Sequence, residues 1–320
     1  FTHGAPQYRL VENIVHYSNN SVVITLMISS LVAWLFNLIA HLPLSVLHRL
    51  GAVLGKLTYS LSDKYASRLR ENLSTAWDGR SEADFRKILN ANIAETGKGV
   101  AELLWIWCRP LAEVTASIKA CYGWEHIEAA RARGKGIIFL TPHLGCFDVS
   151  ALYVAEHMPL TVLYRPPKLI WLEQVMRSGR ERAQLRLART DVGGVRQLYK
   201  ALKRAEAIGL LPDQVPGNGE GEWADFFGRP AYTMTLIGRL VQSSGASVIM
   251  TSVERLTHGS GYILRFTPLE FVVDLPISRQ INSALEKLVL INPAQYLWSY
   301  NRYKTPAGVK PAMKQEINPI

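Results

Sequence analysis

From about residue 116 the chain alternates short apolar runs with longer amphipathic stretches, and this rhythm restricts its fold more than any other feature of the sequence. The runs are SIKACYG (117–123), GIIFLT (136–141), LTVLYR (160–165), AIGLLP (207–212), ASVIMTSVE (246–254) and GYILRFTP (261–268). Short apolar runs rich in β-branched residues and bounded by Gly, Pro or polar clusters read as buried strands. Between them, segments 148–157, 169–188, 194–205, 232–243 and 277–290 place apolar residues at helical spacing. Strands separated by helices pair in parallel when each connection crosses back over the sheet. The expected architecture is therefore α/β, a mostly parallel sheet flanked by helices on both faces. In such sheets ligands gather at the carboxyl ends of the strands.

One strand end carries candidate chemistry. GIIFL runs directly into TPHLGCFDVS (141–150). Pro142 cannot continue a central strand, so His143 falls at the carboxyl end, just before a helix that starts near 145–147. On a regular helix residues five apart diverge by about 140°, but a strand-to-helix turn eased by Gly145 can fold His143 and Asp148 together. A His whose tautomer is held by a carboxylate is a general-base pair, and with no obvious nucleophile on the chain the attacking hydroxyl is expected on the substrate. Cys146 is the rival nucleophile, although it starts a helix expected to pack on the sheet. A histidine that merely caps its strand is the other alternative.

Upstream, Asn13 to His48 contains no Lys, Arg, Asp or Glu, and its centre, VVITLMISSLVAWLFNLIA (22–40), is 19 residues long. That is close to the ~20 residues a helix needs to cross a bilayer. A retained N-terminal transmembrane helix is expected rather than a cleaved signal peptide, because a charged n-region and a clean cleavage site are missing. Arg49, Lys56, Lys64, Arg68 and Arg70 follow the span while only Arg9 precedes it against Glu12, so the body of the protein is expected in the cytoplasm. The chain then divides into an N-terminal segment with its anchor (1–41), a helical membrane-proximal region (42–110) and an α/β core (111–320). Within the middle region, 42–61 reads as a helix lying on the membrane or packing on the domain, and Pro110 ends the helical stretch 63–108.

The formal net charge of +10 calls for an anionic partner. Between Thr161 and Arg204 eleven basic residues stand against three acidic ones, which concentrates most of the surplus there. Arg165 ends its strand and should point into the same rim as His143, where it could bind a phosphate or steady an oxyanion. Asp213 and Gln214 follow another strand end, AIGLLP, as organisers of that rim. Near the C-terminus Arg302 and Lys304 are further substrate-binding candidates, in a segment whose Trp298, Tyr300 and Tyr303 suggest contact with an interface. The three cysteines, Cys108, Cys121 and Cys146, form no CxxC pair and the eight histidines are scattered, so neither a disulfide framework nor a protein-bound metal is expected. Nucleic acid is disfavoured because the basic tract carries no recognised binding motif.

The H-x4-D pattern after a short apolar strand resembles the signature of the glycerolipid acyltransferase superfamily. Within it, YRPPK (164–168), GVRQLYKALKRAEAIGLLPDQ (194–214), DFFGRPAYT (225–233) and PAQYLWSYNRYKTP (293–306) resemble the lipid A biosynthesis acyltransferases of Gram-negative bacteria, which add the late, secondary acyl chains. The likeness covers nearly the whole chain, with two departures. Glycerophosphate acyltransferases carry an FPEGTRS-like motif where this chain reads LLPDQVPGNG, and several lipid A enzymes have Glu in place of Asp148.

This resemblance implies an acyl carrier protein-dependent O-acyltransferase of the bacterial inner membrane, its catalytic domain on the cytoplasmic side. The acyl group would arrive on the phosphopantetheine of acyl carrier protein and pass to a hydroxyl of an anionic glycolipid, a Kdo-bearing lipid A precursor, with no bound cofactor. His143 would remove the hydroxyl proton and Asp148 would steady the imidazolium. Two other readings stand beside it. One is an acyltransferase acting on a lysophospholipid or another glycolipid; the other is a non-enzymatic, membrane-bound binder of anionic lipid.

Overall fold

The structure, a computed structural model, describes residue 36 and residues 38–77, 79, 81–167 and 169–312. Most of the expected membrane span, 22–40, lies outside the described residues. Among the described residues no helix is long and apolar enough to cross a membrane.

Within the described residues three long helices precede the sheet, α1 (Leu44–Leu61), α2 (Asp63–Ala76) and α3 (Glu82–Cys108). Ser62 and Ser81 cap α2 and α3 by accepting the backbone N–H groups of Tyr65 and Asp84, which satisfies donors left open at a helix start. Pro110 follows α3 as its sequence suggested. Helix α1 lies backbone to backbone on α3. A Cβ on Gly97 would stand 2.0 Å from the carbonyl oxygen of Gly51 and one on Gly55 2.2 Å from that of Ile93, so only glycine permits this approach.

After a short helix α4 (Leu111–Ala116), seven strands build one sheet: β1 (Ile118–Tyr122), β2 (Ile137–Leu140), β3 (Leu160–Tyr164), β4 (Leu185–Arg189), β5 (Ala207–Leu210), β8 (Ser247–Arg255) and β9 (Tyr262–Pro268). Their order is β1-β9-β8-β2-β5-β3-β4. Every pairing is parallel except β8 with β9. The α/β expectation therefore holds, with one antiparallel turn-back near an edge. Helices α5 (Trp124–Ala132), α6 (Phe147–His157), α7 (Ile170–Arg180), α8 (Val192–Lys203), α9 (Leu236–Ser244) and α10 (Ile277–Ile291) complete the fold.

Two details differ from the sequence reading. Segment 169–188, read as one amphipathic helix, ends as a helix at Arg180 and re-enters the sheet as β4, because Leu185, Leu187 and Ala188 are buried there. Segment 232–243 begins inside a separate antiparallel hairpin, β6 (Gly221–Phe226) with β7 (Arg229–Met234), before α9 starts. Strand β4 mixes arginines with its apolar residues, so its pattern merges with that of the preceding helix.

Period-2 alternation divides the core. On β2, Ile137 and Phe139 join one cluster with Val149 and Leu152 of α6, Ile127 of α5, Ile106 of α3 and Leu47 of α1. Ile138 and Leu140 join the other with Leu198 of α8, Leu240 of α9, Leu285 of α10 and Leu73 of α2. The N-terminal helices thus share both faces of the sheet's core.

A buried ionic knot ties α1 and α3 to β8. Arg255 donates to Glu102 through Nε at 2.8 Å and through Nη2, and to Glu95 at 2.7 Å; Tyr262 donates to Glu102 at 3.0 Å, and His48 of α1 lies 3.2 Å from it. Burial alone would raise the Glu102 carboxyl, but Arg255 outweighs it and holds the group at about 2.

Candidate active site

Strands β2 and β5 pair in parallel, with Leu140 opposite Leu210. His143 and Asp213 each lie three residues beyond that pair, so the register brings them to the same height at the carboxyl edge. Both oxygens of Asp213 are used: Oδ1 accepts from His143 Nδ1 at 2.8 Å and Oδ2 from the His143 backbone N–H at 2.8 Å. With the proton held on Nδ1, Nε2 carries the lone pair that a base needs; the Gln214 amide donates to it at 3.1 Å, a bond that an acceptor hydroxyl would have to displace. Burial acts to raise the Asp213 carboxyl, but the His143 ring and its backbone N–H prevail and keep it below the ordinary carboxylate range.

The turn is fixed from outside. Gly145 has φ +59°, and a Cβ there would stand 1.9 Å from the Val253 carbonyl oxygen. The segment 293–298 lies along the turn: Gly145 N–H donates to the Gln295 carbonyl at 3.0 Å and Leu297 N–H to that of His143 at 3.0 Å. That segment is gripped in turn by Asn92, which donates to the carbonyls of Ala294 and Tyr296, and by Asn72, which donates to those of Trp298 and Tyr300.

Asp148 faces the same cavity but takes other partners. Arg180 donates to it through Nη2 at 2.7 and 2.9 Å and Nε at 3.1 Å, and Trp107 Nε1 at 2.8 Å. The acid on the His143 ring is therefore Asp213, and the expected His143–Asp148 contact is replaced by an Asp148–Arg180 pair. Cys146 is buried between α6 and the sheet, and burial pushes its thiol well above the ordinary range, which removes the thiolate a covalent mechanism needs.

Of the other candidates, Arg165 is exposed and lines the cavity together with Gln214. Arg302 does not. It is only 3% exposed and donates to the Tyr232 carbonyl, the Thr233 hydroxyl and the Asn282 side chain, clamping the β6–β7 hairpin. Lys304 sits over the Tyr300 ring, 5.6 Å from its centroid, and is absent from the cavity lining. Trp298, expected at an interface, is 1% exposed in the core. A buried arginine cannot be told from a substrate-binding one by composition alone, because both sit among aromatic residues.

The cavity encloses about 680 Å³ and straddles the carboxyl edge of the sheet. On one face it descends over Phe139, Gly209, Val162 and Leu187, which form a single cross-strand row, towards Leu160 and Leu185 at the strand starts. Ala151 and Val154 of α6 and Met176 of α7 close it from above. Gly209 leaves the row open at its centre. On the other face the cavity reaches α8, α9 and the loop 215–220, lined there by Arg196, Tyr199 and Arg239. The sequence reading counted Arg196 only among the basic residues of its tract and missed Arg239, because only the packing of α8 and α9 brings them to this cavity.

A histidine held at Nδ1 by a buried carboxylate has the geometry of a general base, and its place at the edge of a cavity with an apolar lobe on an α/β sheet suits transfer of a group between amphipathic substrates. The description bacterial lipid A biosynthesis acyltransferase matches residues 15–305, and the chain belongs to that family. It is 30% identical over 284 residues to the lipid A biosynthesis lauroyltransferase of Escherichia coli (strain K12), covering 85% of this chain and 90% of that protein. It is 27% identical to the lipid A biosynthesis palmitoleoyltransferase of the same strain, over 87% of this chain and 90% of the relative. A lipid A biosynthesis acyltransferase of Haemophilus influenzae is 28% identical over 85% of this chain and 91% of its own length.

Proposed function

We propose that this acyltransferase moves a fatty acyl group from the phosphopantetheine thioester of acyl carrier protein to a hydroxyl of a Kdo-bearing lipid A precursor, the 3-hydroxyl of a primary acyl chain. The observation that carries the reading is His143 Nε2, facing a lipid-sized apolar cavity while Asp213 holds the opposite ring nitrogen. Nε2 takes the acceptor's hydroxyl proton as its oxygen attacks the thioester carbonyl. Asp213 steadies the imidazolium, and that proton leaves with the carrier's thiol as the tetrahedral intermediate collapses. Asp148 fixes Arg180 in the wall of the cavity that His143 lines, where its cation would be available to an oxyanion forming at the thioester carbon. The acyl chain lies along the row Phe139–Gly209–Val162–Leu187, gaining about 0.8 kcal/mol per buried methylene.

The reading places the chain at the cytoplasmic side of the bacterial inner membrane, anchored by 22–40. Arg109 donates to the carbonyls of Ala40 (3.0 Å) and His41 (2.7 Å), pinning the end of that segment to the start of the core. Leu50, Val53, Leu54, Leu57 and Leu61 form an exposed stripe on α1 flanked by Arg49 and Lys56, which suits a helix resting on anionic headgroups. Purified full chain given labelled acyl carrier protein should acylate the lipid A precursor. Labelling of lysophospholipid alone would refute this acceptor.

A further inference from the structure

The basic tract is less uniform than its composition suggests. Within it Arg177, Arg180, Arg189 and Arg204 are paired with carboxylates, and Arg182 donates to the carbonyls of Ile106 and Arg109 at the end of α3. Arg165 and Arg196 are exposed and have no carboxylate partner among the described residues, and the same is true of Arg239, which lies outside the tract. These three line the one cavity. They come from three places that the fold packs side by side: Arg165 directly follows β3, α8 carrying Arg196 packs on β3, and α9 carrying Arg239 packs on α8.

Three unpaired guanidinium groups around one opening repel each other, so an arrangement of this kind is stabilised by an anion. Two carboxylates share this part of the lining, Asp191 and Glu220, and both are engaged with backbone. Asp191 caps α8 by accepting Gly194 N–H at 2.8 Å, and Glu220 accepts Gly217 N–H at 3.0 Å. Neither pairs with the three arginines. The other lobe of the cavity, across the sheet edge, is lined mainly by apolar side chains, and the arginine in its wall, Arg180, is already paired with Asp148. The cavity as a whole therefore has a hydrocarbon side and a cationic side with His143 in the same lining, a division that matches an amphipathic ligand bearing a phosphate ester. Planar guanidinium forks suit phosphate oxygens better than they suit a single point charge.

We propose that Arg165, Arg196 and Arg239 form a phosphate-binding rim that holds a phosphate group of a substrate while its reacting atom lies at His143. This rests on the acyl-transfer reading, under which the phosphate is carried either by the acceptor glycolipid or by the phosphopantetheine arm of the donor. The rim binds; it takes no part in proton transfer.

The test uses full chain in dodecyl maltoside micelles, comparing wild type with Arg196→Gln, Arg239→Gln and the double variant, and with Lys135→Gln as a charge-matched control at the amino end of β2. Calorimetry measures binding of the bis-phosphorylated acceptor and of its dephosphorylated form, and turnover is followed in parallel with acyl-phosphopantetheine and acyl-pantetheine donors. Each single variant should lose about tenfold in affinity for one phosphorylated substrate and nothing for its phosphate-free counterpart, with Arg→Lys recovering part. A loss confined to the acceptor assigns the phosphate to the glycolipid; a loss confined to the phosphopantetheine donor assigns it to the carrier arm. If the double variant binds and turns over every substrate as wild type does, or if Lys135→Gln shows the same losses, the rim is refuted. A wild type that prefers phosphorylated ligand through these arginines but transfers no acyl group would instead refute the proposed reaction and leave the rim standing.

Discussion

Replacing Asp213 with asparagine separates the two acids at this site. Asp213 accepts two donors, the ring Nδ1–H and the backbone N–H of His143, each at 2.8 Å and each on its own oxygen. An asparagine has one acceptor oxygen, so if it keeps the backbone bond it turns its NH2 towards Nδ1. The ring then accepts at Nδ1 and carries its proton on Nε2, where no lone pair remains for the acceptor hydroxyl. Turnover should fall by about 10²–10⁴-fold, the share usually supplied by general-base catalysis, equivalent to about 3–5 kcal/mol of barrier. Asp148→Asn removes the partner of Arg180 and leaves a largely buried guanidinium uncompensated, so its first effect is on stability, on the order of 3–5 kcal/mol. The assay is kcat per folded molecule, with melting temperature measured on the same preparations. If Asp213→Asn turns over at the wild-type rate while folded Asp148→Asn is dead, the assignment of Asp213 to the ring is wrong.

Three further outcomes follow from the same geometry. Gly145→Ala puts a methyl 1.9 Å from the Val253 carbonyl and an L-residue at φ +59°; the turn must shift, and because a 1 Å misplacement costs about a hundredfold, kcat should fall far more than the melting temperature does. Glu102, held at about 2 against an ordinary 4.5, contributes stability that is fully present above pH 4.5 and is lost as pH falls through its folded value. That is about 3 kcal/mol, and thermal unfolding of Glu102→Gln should lack this part of the acid-limb slope. Arg302→Met should lower the melting temperature by on the order of 10 °C, since about 3 kcal/mol of charge-assisted hydrogen bonding is lost, yet leave KM and kcat of the folded fraction unchanged. A selective rise in KM would return Arg302 to substrate binding.

The sheet was legible because its strands are short, apolar and separated by helices of the right length, and β2, β5 and β8 are buried through their centres. Strand β4 was not, since two of its five residues are arginines and its pattern merges with that of the helix before it. The position of His143 followed from Pro142 and the strand before it. Its partner did not: Asp148 is near in sequence, but contact is decided by the β2–β5 register, which no local pattern encodes. Arg302 was misread for a related reason. An arginine between two tyrosines looks like a surface contact until the hairpin β6–β7 and Asn282 are seen to surround it.

The central claim, that His143 is the base of an acyl transfer onto lipid A, is tested most directly by mass spectrometry of lipid A from a bacterial host lacking its own late acyltransferases. Expression of this chain should add the mass of one acyl chain to the precursor. His143→Ala, present at the same level in the membrane and melting at the wild-type temperature, should add none. An acyl chain added in full by that folded variant would contradict the account.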